Sequence, residues 1–253
     1  MVALSGKRGL RQGVHALSSR QARLAMRPLD VVRELARRVS QDRIPLSALI
    51  VIGSAAREGD FVEGLSDIDV VVVQDEPDPE IEDRIRAIAS EVDPAISLVI
   101  LDRARLGSIF RAADALSFLI KAGTPLVIDG PTRRIVRQAV RPTGATVWRL
   151  RASARAALRL AFEAHYARDY KRAIVHAYHA LRHAIRAQAA AKGAFPVSDA
   201  EVLEAAEGDR VKAAYGLLVS LRRNYKSAAK NPPLVRNAVV LSDRLVDLLT
   251  GAG

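Results

Sequence analysis

The feature that most constrains the fold of this chain is a change in hydrophobic pattern near residue 130. Over residues 28–130, short apolar runs such as ALIVI and VVVV alternate with amphipathic stretches of helical spacing. This alternation predicts an α/β domain in which helices cover a sheet. After residue 145 only helical periodicity is found, and this predicts an all-α helical bundle.

The Pro- and Gly-containing stretch GPTRRIVRQAVRPTG marks the join between these two parts. The pattern therefore predicts four regions. They are a basic N-terminal tail over residues 1–27, an α/β domain over 28–130, a linker over 131–145 and a helical bundle over 146–253.

Composition excludes several classes of protein. The chain has no cysteine, which excludes a disulfide framework and thiolate metal sites. Its longest apolar runs have the length of a strand, well short of the roughly 18 residues of a membrane span. The basic tail lacks the apolar core and small-residue cleavage site of a signal peptide. We therefore expect a cytoplasmic protein with no membrane partner.

Charge is unevenly distributed along the chain. Residues 44–130 contain 7 basic and 16 acidic side chains, whereas residues 131–253 contain 22 basic and 9 acidic ones. The basic half is suited to attract a polyanion such as nucleic acid or a nucleotide phosphate. An arginine-rich helical surface without a polyanionic partner is an equally good interpretation.

The stretch GSAAREGDFVEGLSDIDV, residues 53–70, contains two aspartates one residue apart. Asp67 and Asp69 fall on a predicted strand, so both side chains point to the same face. Like charges at such positions repel each other unless a divalent cation lies between them. Hard oxygen ligands on a rigid strand suit Mg²⁺ or Mn²⁺, completed by substrate phosphates and water.

A glycine-serine turn precedes the aspartates by about a dozen residues. Gly53 allows the chain to turn sharply and a phosphate to approach the backbone. Ser54 and the amides that follow it can begin a phosphate-binding turn. Arg57 comes about one helical turn later, where it can assist in binding the same phosphates.

Taken together, GSAAREGDFVEGLSDIDVVVV resembles the signature of the polymerase-beta-like nucleotidyltransferase superfamily, in particular its minimal nucleotidyltransferases. The resemblance covers about residues 28–130 and implies an α/β (α+β) fold with a small mixed sheet. It implies that Asp67 and Asp69 ligate Mg²⁺ or Mn²⁺ while Gly53 and Ser54 hold the triphosphate. The implied reaction transfers a nucleoside monophosphate from a nucleoside triphosphate to an acceptor hydroxyl of a protein, an RNA or a small molecule.

The sequence departs from this family at one position. A third carboxylate usually comes from a later strand, and the matching strand here, AISLVIL, has Ser97 at that place. Asp93 and Asp102 are the nearest acids, and neither is well placed by period-2 counting. This leaves open a non-catalytic, regulatory nucleotide-binding protein of an antitoxin-like kind as the alternative to a transferase.

The helical half contains a stripe of polar residues. His176, His179 and His183 fall on one helix face, and Arg172 and Arg186 extend it. A partly buried polar seam between helices is the favoured interpretation. Metal binding by the histidines is the weaker one, since no carboxylate or cysteine is near in the sequence.

The same helix pattern over residues 145–250 resembles a HEPN domain, a helical bundle often found with minimal nucleotidyltransferases. This resemblance implies a homodimer through the helical half. Some HEPN domains are ribonucleases with an Arg, four to six residues, then His, a spacing that Arg172 and His179 satisfy. Ala173, however, occupies the place of the usual polar residue, so the ribonuclease is the least favoured function.

A second polar group follows in the helical half. A solvated face is the favoured interpretation of this group. In single-chain relatives with a nucleotidyltransferase domain the helical domain walls the nucleotide cleft, and this resemblance implies that the basic and aromatic members of the group serve substrate phosphate or base. They are Arg222, Arg223, Tyr225 and Lys226.

Overall fold

The computed structural model of the protein describes residues 27–251. The predicted basic tail lies outside this range except for its last residue. The expected absence of a signal peptide also refers to residues outside it. The first half alternates strands and helices, as the hydrophobic pattern predicts. Its elements are α1 (Pro28–Gln41), β1 (Ala48–Val51), β2 (Ile68–Gln74), α2 (Pro79–Val92), β3 (Ile96–Asp102), α3 (Arg103–Arg111), α4 (Ala115–Lys121), β4 (Thr124–Ile128) and α5 (Gly130–Val136).

The four strands form one mixed sheet in the order β3-β2-β1-β4. Strand β1 is antiparallel to both β2 and β4, whereas β2 and β3 are parallel. The parallel pair requires a crossover, which α2 supplies. The predicted small mixed sheet is confirmed.

Helices cover both faces of the sheet. Alternate side chains of β2 point to opposite faces of the sheet. Val70 and Val72 lie in the core under α1 and α2, and Val71 and Val73 lie in the core under α3 and α4. All four side chains are fully buried. A strand buried on both faces reads as a continuous apolar run, and this explains the VVVV of the sequence.

The second half consists only of helices. They are α6 (Gly144–Tyr166), α7 (Tyr170–Ala191), α8 (Asp199–Ala205), α9 (Asp209–Arg223), α10 (Tyr225–Ala228) and α11 (Pro232–Thr250). Helix α7 is central and is packed by α6, α9 and α11. Small side chains, among them Ala154 and Ala161 on α6 and Ala177 and Ala184 on α7, are buried and allow the helices to approach closely.

The helical spacing of the stretch RARLGSIFRAADALSFLIKAG after β3 predicts a single helix, but the structure has two, α3 and α4. The chain breaks at Ala113, whose φ is +46°, and Asp114 then caps α4 by accepting from the Leu116 amide. The Thr146 hydroxyl at the start of α6 donates to the Ala113 carbonyl at 2.7 Å. The break is therefore stabilised by the helical half, which local periodicity cannot reveal.

The predicted linker also contains structure, because α5 occupies its first residues and α6 begins before its end. None of the helices described between residues 27 and 251 combines the length and apolar character needed to cross a membrane.

Candidate active site

The glycine-serine turn lies at the end of β1. Gly53 has φ +68°, a left-handed conformation that L side chains rarely adopt, and it begins a 3-10 turn over Gly53–Ala56. A Cβ at this position would lie 2.7 Å from Asp69 Oδ2. The absence of a side chain at Gly53 therefore lets the Asp69 carboxylate lie directly against the turn.

Asp67 and Asp69 lie at the start of β2. The strand begins at Ile68, and the Ile52 amide donates to the Asp69 carbonyl at 2.9 Å, which fixes β2 beside the glycine-serine turn. Asp67 is exposed and Asp69 is half-buried. Burial, followed by the neighbouring Asp67 carboxylate, raises the pKa of Asp69 to about 6.

The two carboxylates lie near each other without a basic partner in the described part of the chain. Within residues 27–251 neither Asp67 nor Asp69 forms an ion pair, and the raised Asp69 pKa reflects that lack of compensation. Two such oxygen ligands, beside a turn that admits a close backbone approach, fit a hard divalent cation. The donor set is thus compatible with Mg²⁺ or Mn²⁺.

Ser97 is the neighbour of Asp69 on the adjacent strand. In the parallel register of β2 and β3, Asp69 pairs with Ser97, so their side chains project from the same face of the sheet. Asp93 is engaged in accepting from the Ala95 amide at 2.8 Å, and Asp102 caps α3 through the Arg105 amide at 2.6 Å. Accordingly, no group of three or more His, Cys, Asp or Glu residues in the described part of the chain is arranged to hold a metal.

The polar contacts of Arg57 are made with Val197 and Asp60 and not with Asp67 or Asp69. Its Nη1 donates to the Val197 carbonyl at 3.2 Å and lies 4.0 Å from an Asp60 carboxylate oxygen. Burial, and then the charge of Arg182, lowers the pKa of Arg57. The structure therefore brings together Gly53, Asp67 and Asp69 but directs Arg57 to the helical half.

Residues 57–66, called the linking loop below, connect the glycine-serine turn to Asp67. The helical half holds this loop through basic side chains. Arg222 donates to the Asp60 carbonyl at 3.1 Å and to the Ser66 hydroxyl at 2.7 Å. Arg223 donates to the Gly59 carbonyl at 3.1 Å, and Lys171 donates to the Gly64 carbonyl at 2.8 Å. These contacts fix the chain immediately before the carboxylate pair.

Behind the linking loop lies a buried polar network. Asp199 accepts from the hydroxyls of Tyr178 at 2.5 Å and Tyr215 at 2.7 Å. Its amide faces the Asp60 carboxylate at 3.3 Å, and burial together with Asp199 raises the pKa of Asp60. Arg182 lies 3.6 Å from Asp199 Oδ1 and donates to the Val197 carbonyl at 2.6 Å. Sequence reasoning missed this network, because its members are far apart in the chain.

The histidine stripe of α7 is a polar seam, as favoured from the sequence. The His179 and His183 rings lie 6.3 Å apart and are partly buried. Burial lowers the pKa of His179 well below its ordinary value and that of His183 to about 3. Neutral imidazoles packed in this way fit a structural seam, and they do not form a metal-binding group within residues 27–251.

The two residues with ribonuclease-like spacing have different environments. Arg172 is exposed and lies 3.4 Å from Asp169 at the start of its own helix, whereas His179 is partly buried in the seam. Nothing in these contacts joins them into a site.

Comparison with known protein families gives a match in the α/β half of the chain. Residues 32–112, about a third of the chain, match the family model of the nucleotidyltransferase domain. No curated protein matches the chain. Among solved structures, one similar chain is a nucleotidyltransferase-like protein from Exiguobacterium sibiricum 255-15. It shares 16% identity at a TM-score of 0.37, over 87% of this chain and 76% of that one. The glycine-serine turn and the carboxylate pair both lie within the residues that match the model of the nucleotidyltransferase domain.

Proposed function

We propose that this protein transfers a nucleoside monophosphate from a nucleoside triphosphate to an acceptor hydroxyl, with release of pyrophosphate. The observation that carries the proposal is the contact of the Asp69 carboxylate with the left-handed Gly53 turn, inside the matched nucleotidyltransferase domain. It unites a backbone that a phosphate can approach with a carboxylate pair that forms no ion pair among the described residues. These are two of the parts that nucleotidyl transfer requires.

In this proposal each residue has a distinct role. Asp67 and Asp69 would hold the Mg²⁺ or Mn²⁺, which when bound neutralises charge on the phosphates. Gly53 and Ser54 offer the backbone and a hydroxyl to the triphosphate. Arg57 remains the predicted assistant, although its contacts lie with Val197 and Asp60. The acceptor, whether protein, RNA or small molecule, is left open.

A second candidate function is nucleotide binding without transfer. The observation that favours it is the pairing of Asp69 with Ser97, because a hydroxyl is neither a strong metal ligand nor a base at neutral pH. Such a protein would serve a regulatory, antitoxin-like role. Three further parts of the proposal are the same for both candidates. The helical half is HEPN-like, it forms a homodimer, and the protein is cytoplasmic.

The test is transfer of label from each α-labelled nucleoside triphosphate in the presence of Mg²⁺ or Mn²⁺. Acceptors from the three classes are supplied in parallel with unlabelled controls. Asp67→Asn and Asp69→Asn are expected to abolish transfer. Asp93→Asn is the matched control, since it removes a nearby carboxylate that only closes a turn.

Two results would decide between the candidates. Transfer that depends on Asp67 and Asp69 but not on Asp93 supports the transferase. Absence of transfer, with nucleotide binding retained by the natural chain and lost in Asp67→Asn, would replace it with the binding-only function.

A further inference from the structure

A cleft opens where the linking loop meets the turn between α9 and α10. Its volume is about 620 Å³, within the ~300–1,000 Å³ of typical ligand pockets. Asp67 and Asp69 are not among its lining residues, so it is separate from the carboxylate pair. It is lined by Gly59, Phe61, Val62, Glu63, Arg223, Asn224, Tyr225, Lys226 and Ser227, and is called the basic cleft below.

An aromatic ring flanked by cations lies in this cleft. The Lys171 Nζ lies 5.3 Å and the Lys226 Nζ lies 6.0 Å from the centroid of the Tyr225 ring. A Cβ on Gly64 would lie 2.8 Å from the Tyr225 hydroxyl, so the hydroxyl end of the ring rests against the linking loop. Lys171 and Arg223 are tethered to loop carbonyls, as described above. The ring, Lys171 and Arg223 are therefore held in place before any ligand arrives.

The charge of the cleft favours an anion. Arg223 and Lys226 face a single acidic lining residue, Glu63, and Lys171 adds a third cation beside the ring. The helical half that supplies these cations has 22 basic and 9 acidic side chains over residues 131–253. A positively charged groove of this kind raises the local concentration of a polyanion.

The aromatic ring narrows the class of anion. Cations alone would bind any acidic polymer. An aromatic side chain among cations is the arrangement that binds single-stranded nucleic acid, because the bases stack on the ring and the phosphates pair with the cations. A paired duplex has its bases buried in the stack and offers none to Tyr225. An acidic peptide would leave Tyr225 and Phe61 without a matching partner.

We propose that the basic cleft binds single-stranded nucleic acid, with a base against Tyr225 and phosphates at Lys171, Arg223 and Lys226. This binding is independent of the proposed transfer reaction, since neither aspartate of the carboxylate pair takes part in it. The test below is therefore made in EDTA, where transfer cannot occur. Its outcome and that of the transfer experiment can be told apart.

The test measures fluorescence anisotropy of a labelled oligoribonucleotide of about eight residues with the full chain. Arg223→Ala/Lys226→Ala is compared with Arg210→Ala/Lys212→Ala, which removes the same charge at the other end of α9. The two ends of this helix are about 20 Å apart at 1.5 Å per residue. All four side chains are exposed.

We expect the cleft variant to weaken binding at least tenfold and the control variant to leave it nearly unchanged. Loss of two phosphate contacts should also lower the slope of log K against log salt by about 1.4, at ~0.7 per contact for single strands. Tyr225→Leu should weaken binding by about tenfold through lost stacking, whereas Tyr225→Phe keeps the ring and the affinity.

Several results would overturn the proposal. They are equal losses in the two double variants, equal binding of a duplex, equal competition by polyglutamate, and full displacement by ATP in EDTA. The last would identify the cleft as part of the triphosphate's own site. If Arg223→Ala lowers the Tm through its lost bond to Gly59, Lys226→Ala alone decides, because the Lys226 side chain makes no hydrogen bond among the described residues.

Discussion

Replacing Asp69 by Asn should stabilise the metal-free protein at neutral pH. Asp69 is half-buried beside Asp67, and no side chain of residues 27–251 forms an ion pair with it, so its ionisation is unfavourable. Asn has nearly the same shape and no charge. The substitution therefore removes the cost of a buried carboxylate while leaving its packing against Gly53 intact.

The magnitude follows from the raised pKa. A rise from 3.8 to about 6 is roughly two pH units, or about 3 kcal/mol at ~1.36 kcal/mol per unit. Because Asp69 is only partly buried, solvent screening reduces this to about 1–2 kcal/mol. For a chain of this size the gain corresponds to a rise in Tm of roughly 2–8 °C.

The pH dependence has a definite sign. Between pH 4 and pH 6 the folded state retains the Asp69 proton that the unfolded state has lost, so the free energy of unfolding falls as pH rises. The advantage of Asp69→Asn should be absent below about pH 4 and complete above about pH 7. Urea unfolding in EDTA across this range measures it directly.

Metal should reverse the order of stability. Mg²⁺ at 100 times its Kd stabilises a one-site protein by about 2.7 kcal/mol, and only the natural chain keeps both carboxylates to receive it. An Asp69→Asn protein that is no more stable than the natural chain at pH 8 in EDTA would refute the reasoning. A pH-independent difference would refute it as well.

Three further substitutions test the surroundings of the carboxylate pair. Ser97→Asp should lower metal-free stability by about 0.2–1 kcal/mol, because the new carboxylate repels Asp69. It should also tighten Mg²⁺ binding measured by calorimetry, and an unchanged Mg²⁺ affinity would show that β3 does not face the metal. Gly53→Ala should cost at least about 1–2 kcal/mol from its left-handed backbone and should remove Mg²⁺-dependent stabilisation; a silent substitution would contradict the close approach of Asp69. Arg222→Met should lower the free energy of unfolding in urea by about 2–3 kcal/mol and should weaken Mg²⁺ binding, because it releases the linking loop. Arg223→Met is the control: this residue is exposed and has one loop contact, so its substitution should change stability and Mg²⁺ binding much less.

The parts of this protein that could be predicted from its sequence are those encoded over short distances. The continuous apolar run of β2 and the helical spacing of α6 and α7 each specify an element without reference to the rest of the chain. The spacing from Gly53 to Asp69 identifies the turn and the carboxylate pair for the same reason. The break at Ala113 escaped prediction because a hydroxyl of α6, more than thirty residues away, stabilises it.

The contacts of the helical half with the linking loop could not be predicted from local pattern. Arg222 and Arg223 are neighbours in an arginine-rich helix, yet one is buried and the other is exposed. Their difference depends on which side of α9 meets the loop, and only the tertiary structure decides that. The same holds for Arg57, whose position suggested a phosphate ligand and whose contacts lie with Val197.

The linking loop gives these contacts a functional meaning. Its own hydrogen bonds are short-range turns, such as those from the Leu65 and Ser66 amides to the Val62 carbonyl. Such turns do not fix where the loop lies relative to β2, whereas the bonds from Arg222, Arg223 and Lys171 do. Because Ser66 adjoins Asp67, the helical half sets the position of the first carboxylate. A loop held in this way keeps the carboxylate pair beside the glycine-serine turn even in the absence of metal, when repulsion between Asp67 and Asp69 favours separation.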